Sequence, residues 1–290
     1  MTPITQWLDR VFLINLEKRQ DRFIESMAEL QKIGYRGTFE RFEAYGDLID
    51  HNGKINGNFG CTSSHRAVLE IIAVNRLNRV LVLEDDFMLR PKLAADFPAL
   101  FDSITQELPA DWRMLYLGGS YGENPKRRFS PHLIETNAVM TTSSYVINWR
   151  QARRMAPHIS GIGPIDSLYH KFNREPGCFM AYPRLFVQRP SFSDLTERMS
   201  ENVTSMEDEA HEDMLLTGAW KGRVPKSPGE RGQFVSTINR REVTWPKDLL
   251  GTQVIVGSQL FTIVEAVTAP HFPHRPWFRG EPCTYSLILS

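Results

Sequence analysis

The first two-thirds of the chain alternate between short apolar runs and longer stretches in which apolar residues return every three or four positions. "RVFLINL" (10–16) is continuous and apolar, as expected of a buried strand. In the following "EKRQDRFIESMAELQKIGY", Phe23, Ile24, Met27, Leu30 and Ile33 recur at helical spacing, and Gly34 stands where a C-terminal cap glycine belongs. "GTFERFEAYG" (37–46) reads as a second strand and loop. "GCTSSHRAVLEIIAVNR" (60–76) offers Thr62, Ser63 and Ser64 as N-caps for a helix with Val68, Ile71 and Ile72 on its apolar face. Strands are predicted again over 79–83 and in "WRMLYLGG" (112–119), and a strand then a helix over 139–159. Strands alternating with helices predict an α/β fold with a mainly parallel central sheet flanked by helices.

The pattern changes after about residue 195. "ERMSENVTSMEDEAHED" (197–213) is acidic, almost without apolar residues, and reads as a solvated loop or linker. The stretch 219–248 is basic, with Lys221, Arg223, Lys226, Arg231, Arg240, Arg241 and Lys247. "TQVIVGSQLFTIVEAV" (252–267) holds two β-rich runs joined at Gly257-Ser258, a hairpin signal, and "TYSLIL" (284–289) is a third strand. The expected organisation is a domain over 1–196, an acidic linker or loop over 197–214 and a small basic, β-rich C-terminal region over 215–290.

One stretch breaks the rule that buried strands stay apolar. In "RVLVLEDDF" (79–87) an apolar run meets three consecutive carboxylates, Glu84, Asp85 and Asp86. In open parallel sheets, ligands bind beyond the carboxyl ends of the strands. Carboxylates this close repel one another, and a hard divalent cation, Mn²⁺ or Mg²⁺, relieves that repulsion. If the extended geometry persists, Glu84 and Asp86 point one way and Asp85 the other, toward a backbone amide. A solvent-exposed acidic turn is the plain alternative.

Composition narrows the classes further. The 290 residues suffice for one large α/β domain with an appendage, and 34 basic residues balance 34 acidic ones. Zero net charge supplies no global attraction to nucleic acid or anionic membrane. Cys61, Cys178 and Cys283 are few, odd in number and far apart, which argues for a reducing compartment rather than a disulfide framework. "MTPITQWLDR" lacks the basic and apolar regions of a signal peptide, and no apolar run approaches the ~20 residues of a membrane span. The expectation is a cytoplasmic protein without a transmembrane segment. His271, His274 and Cys283 match no common zinc spacing and read as part of a packed, proline-rich loop.

The ordered motifs "VFLINLEKRQDR", "FGCTSSHRAVLE", "VLVLEDDF", "TTSSYVINWRQARRM", "PIDSLYHKF" and "VQRPSFSDL" resemble glycosyltransferase family 25, which includes lipooligosaccharide and collagen galactosyltransferases. The resemblance spans about residues 10–195 and implies a GT-A-like fold. It implies metal-dependent, inverting transfer of a hexose from a nucleotide-sugar, usually UDP-linked, to an acceptor hydroxyl. Lipooligosaccharide or another glycan is the default acceptor. Hydroxymethylated DNA is an alternative, since basic residues of 215–290 would track phosphates, and a nucleotide-sugar-binding protein without transfer activity is another.

The resemblance also distributes roles. Glu84 and Asp86, with Asp85, correspond to the metal-binding Asp-x-Asp of GT-A enzymes. Asn15, Arg19 and Arg22 would face the nucleotide and diphosphate, unless the arginines are only the polar face of the first helix. Ala44, with Tyr45 and Gly46, would lie near the nucleoside. Ser64 and His65 would open a helix whose amides favour an anion, with His65 orienting phosphate or a metal-bound carboxylate, or merely capping. Gly119, after Gly118, would let backbone approach a ligand or would simply turn the chain. Asp166 would take the acceptor proton as general base, or cap the helix 167–174. Gln188, Ser193 and Asp194 would return to the site, with one of them, Asp194 among the candidates, reaching the metal or diphosphate.

Overall fold

A computed structural model describes residues 3–46, 48–49, 53, 56–123, 127–159, 163–193, 198–200, 218–236, 253–256, 259–267 and 283–289. The chain forms two compact units, Met1–Glu207 and Asp208–Ser290.

The first unit begins with α1 (Ile4–Trp7), β1 (Arg10–Asn15), α2 (Gln20–Lys32), β2 (Phe39–Glu43), α3 (Gly57–Val74), β3 (Val80–Glu84), β4 (Phe87–Leu89) and α4 (Phe97–Glu107). It continues with β5 (Met114–Tyr116), β6 (Ser120–Glu123), β7 (Arg127–Ser130), β8 (Leu133–Glu135), β9 (Ala138–Met140) and β10 (Ser144–Ile147). After α5 (Trp149–Met155) and α6 (Ile165–Asn173) come β11 (Cys178–Ala181), β12 (Phe186–Gln188), β13 (Ser191–Ser193) and β14 (Arg198–Ser200). The main sheet has the order β2-β1-β3-β10-β5-β11-β8-β7, in which β1 runs parallel to both β2 and β3, and β11 parallel to β5. β10 and β8 are its antiparallel members, paired against β3 and β5 and against β11 and β7 respectively.

Both faces of this sheet are covered, which is why its strands read as unbroken apolar runs. Val11 and Leu13 of β1 and Leu81 and Leu83 of β3 pack with Leu30, Phe97 and Phe101 on one face. Phe12 and Ile14, with Val80 and Val82, pack with Val68, Leu69, Ile72 and Tyr169 on the other. The two-residue period of β3 thus assigns odd positions to the α2/α4 face and even positions to the α3/α6 face. β3 leads through a turn at Asp85 and Asp86 into β4, which pairs antiparallel with β12, placing Gln188 opposite Phe87.

Four sequence expectations shift. α2 ends at Lys32 with Gly34 in the left-handed region (φ +71°), as its cap position requires, but Ile24 is 67 % exposed. Leu30 and Ile33 are buried as the spacing predicts and Phe23 packs on the core, but Arg22, Ser26 and Glu29 share that buried side. α3 starts at Gly57, with Asn56 Oδ1 accepting the Phe59 N–H at 3.2 Å, so Thr62, Ser63 and Ser64 lie inside the helix and cap nothing. The stretch 139–147 is two strands, β9 and β10, separated by a turn in which Thr141 has φ 66°. The segment expected to be an acidic linker opens with β14, paired to β13.

The second unit contains β15 (Gly218–Lys221), β16 (Arg231–Ser236), β17 (Gln253–Val256), β18 (Gln259–Val267) and β19 (Cys283–Leu289) in one antiparallel sheet of order β15-β16-β19-β18-β17. β17 and β18 pair as the expected hairpin, Val256 opposite Gln259, and β19 is the expected third strand. β15 and β16 were not visible in the pattern. His271 and His274 lie outside the described residues.

Candidate active site

Strand alternation continues through the acidic triplet and parts its charges. Glu84, an even position, meets α3 and the 141–143 turn. Its Oε1 lies 3.1 Å from His65 Nε2 and accepts the Thr142 hydroxyl at 2.6 Å. His65 is fully buried, and its Nδ1 lies 3.0 Å from the Tyr145 hydroxyl, itself 3.1 Å from the Tyr169 hydroxyl. Burial works to raise the Glu84 pKa, but the bonds from His65 and Thr142 outweigh it and hold the carboxyl below its ordinary value. Among the described residues nothing hydrogen-bonds Glu84 Oε2.

Asp85, an odd position, turns to the α2 face. Its Oδ1 accepts Arg22 at 2.7 Å and its Oδ2 accepts Asn15 Nδ2 at 2.7 Å. Its carbonyl accepts the Ser26 hydroxyl at 3.0 Å and Arg189 at 2.9 Å. Asp85 does point away from Glu84, but to two side chains rather than to a backbone amide. Burial pushes its carboxyl up, and Arg22 and Asn15 pull it part of the way back.

Asp86 is the member without an adequate partner. Among the described residues its buried Oδ1 accepts no hydrogen bond, and its Oδ2 meets only Gln188 Nε2, at 3.4 Å. Burial first, then the negative charges of Glu84 and Asp85, raise its pKa to about 7. The Arg189 backbone N–H holds the Asp86 carbonyl, so the β12 end is fastened against the triplet.

Asp166 joins this cluster from α6. The N-cap is Pro164 and caps with no side chain, so Asp166 sits in the first turn rather than at the cap. Its Oδ1 is shut off from solvent without a partner. Burial, then repulsion from Glu84, raises its pKa to about 6, while the Thr141 amide and the Thr142 side chain pull the other way.

The remaining expected residues divide. Asn15 and Arg22 are committed to Asp85, and Arg19 pairs with Asp21 at 2.9 Å, so these side chains brace the triplet and the first turn of α2. Ser64 lies about two turns inside α3, where the helix amides are already paired. Its hydroxyl donates to the Gly60 carbonyl at 2.7 Å and accepts the Tyr45 N–H at 2.9 Å, fixing the loop beyond β2. Ser64 and His65 therefore do not open a helix. Ala44 donates its N–H to the Asn15 carbonyl at 3.0 Å, so that loop is also tied to the end of β1. Gly119 has φ +141°, and a side chain there would meet Val139 Cγ1 and the Met140 and Thr141 carbonyl oxygens, so its bare Cα serves the close approach of β6 to β9. The side chain of Ser193 and all of Asp194 lie outside the described residues.

Thr142, Tyr145, Tyr169 and Arg189 belong to the site and had no assigned role in the sequence. All four lie in the motifs that carry the family resemblance: Thr142 and Tyr145 in "TTSSYVINWRQARRM", Tyr169 in "PIDSLYHKF" and Arg189 in "VQRPSFSDL"; for Thr142, a threonine pair breaking a strand between apolar runs was the available signal.

A cluster of acidic side chains at the carboxyl end of β3 is where known proteins bear on this chain. Residues 8–169 match the family described as Glycosyltransferase family 25 (LPS biosynthesis protein). The chain belongs to glycosyltransferase family 25. Family-25 relatives include human procollagen galactosyltransferase 2, 24 % identical over 76 % of this chain and 42 % of its own length. The mouse protein of the same name is 22 % identical over 86 % of the chain and 45 % of its own length. A human protein named inactive glycosyltransferase 25 family member 3 is also 24 % identical, over 76 % of the chain and 43 % of its length. The chain thus spans less than half the length of these relatives. Among solved structures, a glycosyltransferase involved in the glycosylation of the major capsid of PBCV-1 aligns with 62 % of this chain and 91 % of its own, at a TM-score of 0.36 and 11 % identity. Among the described residues no helix is long and apolar enough to cross a membrane.

Proposed function

We propose that this chain is a metal-dependent, inverting hexosyltransferase that uses a UDP-linked sugar. The observation that carries the reading is Asp86: a buried carboxylate with an orphaned Oδ1 and a pKa raised to about 7 by burial and by Glu84 and Asp85, with Asp166 close enough to Glu84 to be repelled by it. Such a group is frustrated in the chain alone, and a divalent cation removes the frustration.

Among the described residues Asp86 Oδ1 and Glu84 Oε2 are carboxylate oxygens that accept no hydrogen bond, a donor set that fits Mn²⁺ or Mg²⁺. When bound, the ion would neutralise charge on the departing nucleoside diphosphate as a Lewis acid. The protein's own part is positional. His65 and Thr142 fix the Glu84 carboxyl, and Asn15 and Arg22 fix Asp85, so Asp86 is presented from a turn anchored on both sides. Asp166, with a pKa near 6, is matched to general-base work at neutral pH. As the acceptor oxygen bonds to the anomeric carbon, its proton passes to Asp166 and the nucleoside diphosphate leaves with the bonding pair. Inversion follows from this single displacement.

The acceptor is proposed as a glycan, with lipooligosaccharide the default. Collagen is the class named for two of the relatives. A hydroxymethylated-DNA acceptor rests on the basic stretch of the second unit, of which Lys221, Arg223, Lys226 and Arg231 are exposed. A donor-binding protein without transfer is the rival reading, because one relative is named inactive.

The test is a thermal-shift and calorimetric screen of UDP-hexoses with and without Mn²⁺, followed by turnover of the donor that binds. Mn²⁺-dependent donor binding that is lost in Asp86→Ala, together with turnover that falls in Asp166→Asn while donor affinity holds, supports transfer. Donor binding with no transfer or donor hydrolysis supports the rival. Full activity of Asp86→Ala in EDTA removes the metal from the mechanism.

A further inference from the structure

Helix α3 brings a thiol to the same place. Cys61 and His65 are four residues apart on α3, hence on one helix face, and both look toward the end of β3. The ligand atoms of Cys61, His65 and Glu84 all lie within 4.8 Å of one another. A tetrahedral zinc site, with bonds of about 2.0 Å to nitrogen or oxygen and 2.3 Å to sulfur, sets its ligand atoms roughly 3.3–3.8 Å apart. Small side-chain adjustments therefore close the set, and the 3.1 Å between His65 Nε2 and Glu84 Oε1 is already short enough to flank an ion.

Three further features favour a cation here. His65 already engages Tyr145 through its other ring nitrogen, the arrangement that fixes tautomer and ring orientation in metal-bound histidines. Burial first, then the negative charges of Glu84, Asp166, Asp86 and Asp85, push the Cys61 thiol pKa up, a penalty on the thiolate that a bound cation would offset. The buried Oδ1 of Asp166 has no protein partner. Cys61 is a free thiol.

We propose that Cys61, His65 and Glu84 form a second divalent-cation site, selective for thiolate-seeking ions such as Zn²⁺ and distinct from the carboxylate site at Asp86. Ligand softness separates the two: Mn²⁺ and Mg²⁺ prefer the oxygens of Asp86 and Glu84, whereas a thiolate and an imidazole select Zn²⁺ or Co²⁺. Glu84 is common to both. Zn²⁺ at the thiol site draws Glu84 from the donor side, so it acts as an inhibitor of the transfer proposed above; this consequence alone rests on that proposal.

The experiment begins with the whole chain and Co²⁺ as a spectroscopic stand-in for Zn²⁺. Wild-type protein should show a thiolate-to-cobalt charge-transfer band, bleached by one equivalent of Zn²⁺ and untouched by excess Mg²⁺. Asp86→Asn should retain the band. Cys61→Ser should lose it and bind Zn²⁺ more weakly by roughly tenfold or more. Absence of the band in the wild type, or its persistence in Cys61→Ser, overturns the site. A second measurement needs no variant: Zn²⁺ should shield Cys61 from alkylation, read on the Cys61 peptide by mass spectrometry, and equal labelling with and without Zn²⁺ also overturns it. Neither readout involves turnover, so a failed transferase reading leaves this test intact.

Discussion

Replacing Asp86 by asparagine should stabilise the metal-free protein at alkaline pH. In the folded chain Asp86 ionises near 7, against 3.8 for an ordinary aspartate, because it is buried and faces Glu84 and Asp85. Each tenfold change in proton affinity is roughly 1.4 kcal/mol, so ionising Asp86 in the folded state costs about 4 kcal/mol as a ceiling. The sign follows from proton counting. Between about pH 4 and pH 7 the folded chain holds a proton on Asp86 that the unfolded chain has released. Stability therefore falls as pH rises through that window and levels off above it. Asp166, raised to about 6, adds a smaller slope of the same sign. Asparagine keeps the shape of Asp86 and removes its charge. For a unit of this size each kcal/mol moves Tm by roughly 2–4 °C. Since 4 kcal/mol is a ceiling, a rise of roughly 4–10 °C at pH 8 in EDTA is the expected outcome, with no difference between the proteins at pH 4. Adding Mn²⁺ at pH 8 should raise the wild-type Tm and leave Asp86→Asn unmoved. Differential scanning fluorimetry across pH 4–9 reads all of this. A variant that melts at or below the wild type at pH 8 would show that Asp86 is not a strained charge, and the case for a cation there would fall with it.

Within the same triplet, Arg22→Met should destabilise the fold by about 3–5 kcal/mol in urea titration, because it leaves the Asp85 carboxylate buried without its cation. The double variant Arg22→Met/Asp85→Asn should recover part of that loss, and no recovery would contradict the pairing. Thr142→Val deletes the 2.6 Å donor to Glu84 and should lower turnover about 10–100-fold, with Thr142→Ser close to wild type; equal rates in all three would exclude a positioning role. Gly60→Ala places a methyl against the Tyr45 carbonyl oxygen and should cost roughly 1–3 kcal/mol, measured as a drop in denaturant midpoint.

Much of the first unit was legible because its strands are buried on both faces, and such strands announce themselves as unbroken apolar runs. Gly34 marked the end of α2 for an equally local reason, its positive φ. What stayed hidden is polar burial. Of the apolar face predicted for α2, Leu30 and Ile33 are buried and Phe23 packs on the core while Ile24 and Met27 are exposed, and the helix also turns Arg22, Ser26 and Glu29 inward. They do so because the turn after β3 exposes polar groups that need partners: the Asp85 carbonyl takes the Ser26 hydroxyl, and the Leu89 N–H donates to Glu29 Oε2 at 2.9 Å. Hydrophobic periodicity has no term for such needs. The start of α3 was hidden differently. "INGNFG" is poor in helix formers, but Asn56 caps it, and the bare Cα of Gly60 lets the helix pass under the Tyr45 carbonyl.

The same contrast explains the triplet itself. Three adjacent acids look in sequence like one site, but a strand sends neighbours to opposite faces, so adjacency along the chain is separation across the sheet. Glu84 goes to the α3 face and is held by neutral or weakly basic donors, His65 and Thr142. Asp85 goes to the α2 face and is held by a guanidinium. These two are therefore satisfied by the protein, at opposite ends of the turn. Asp86, at the apex between them, inherits their negative charge without a comparable donor of its own. The anchoring of its neighbours is what keeps it from relaxing away into solvent. A site that must accept a cation needs this asymmetry: enough donors to hold the turn rigid, and one carboxylate left short.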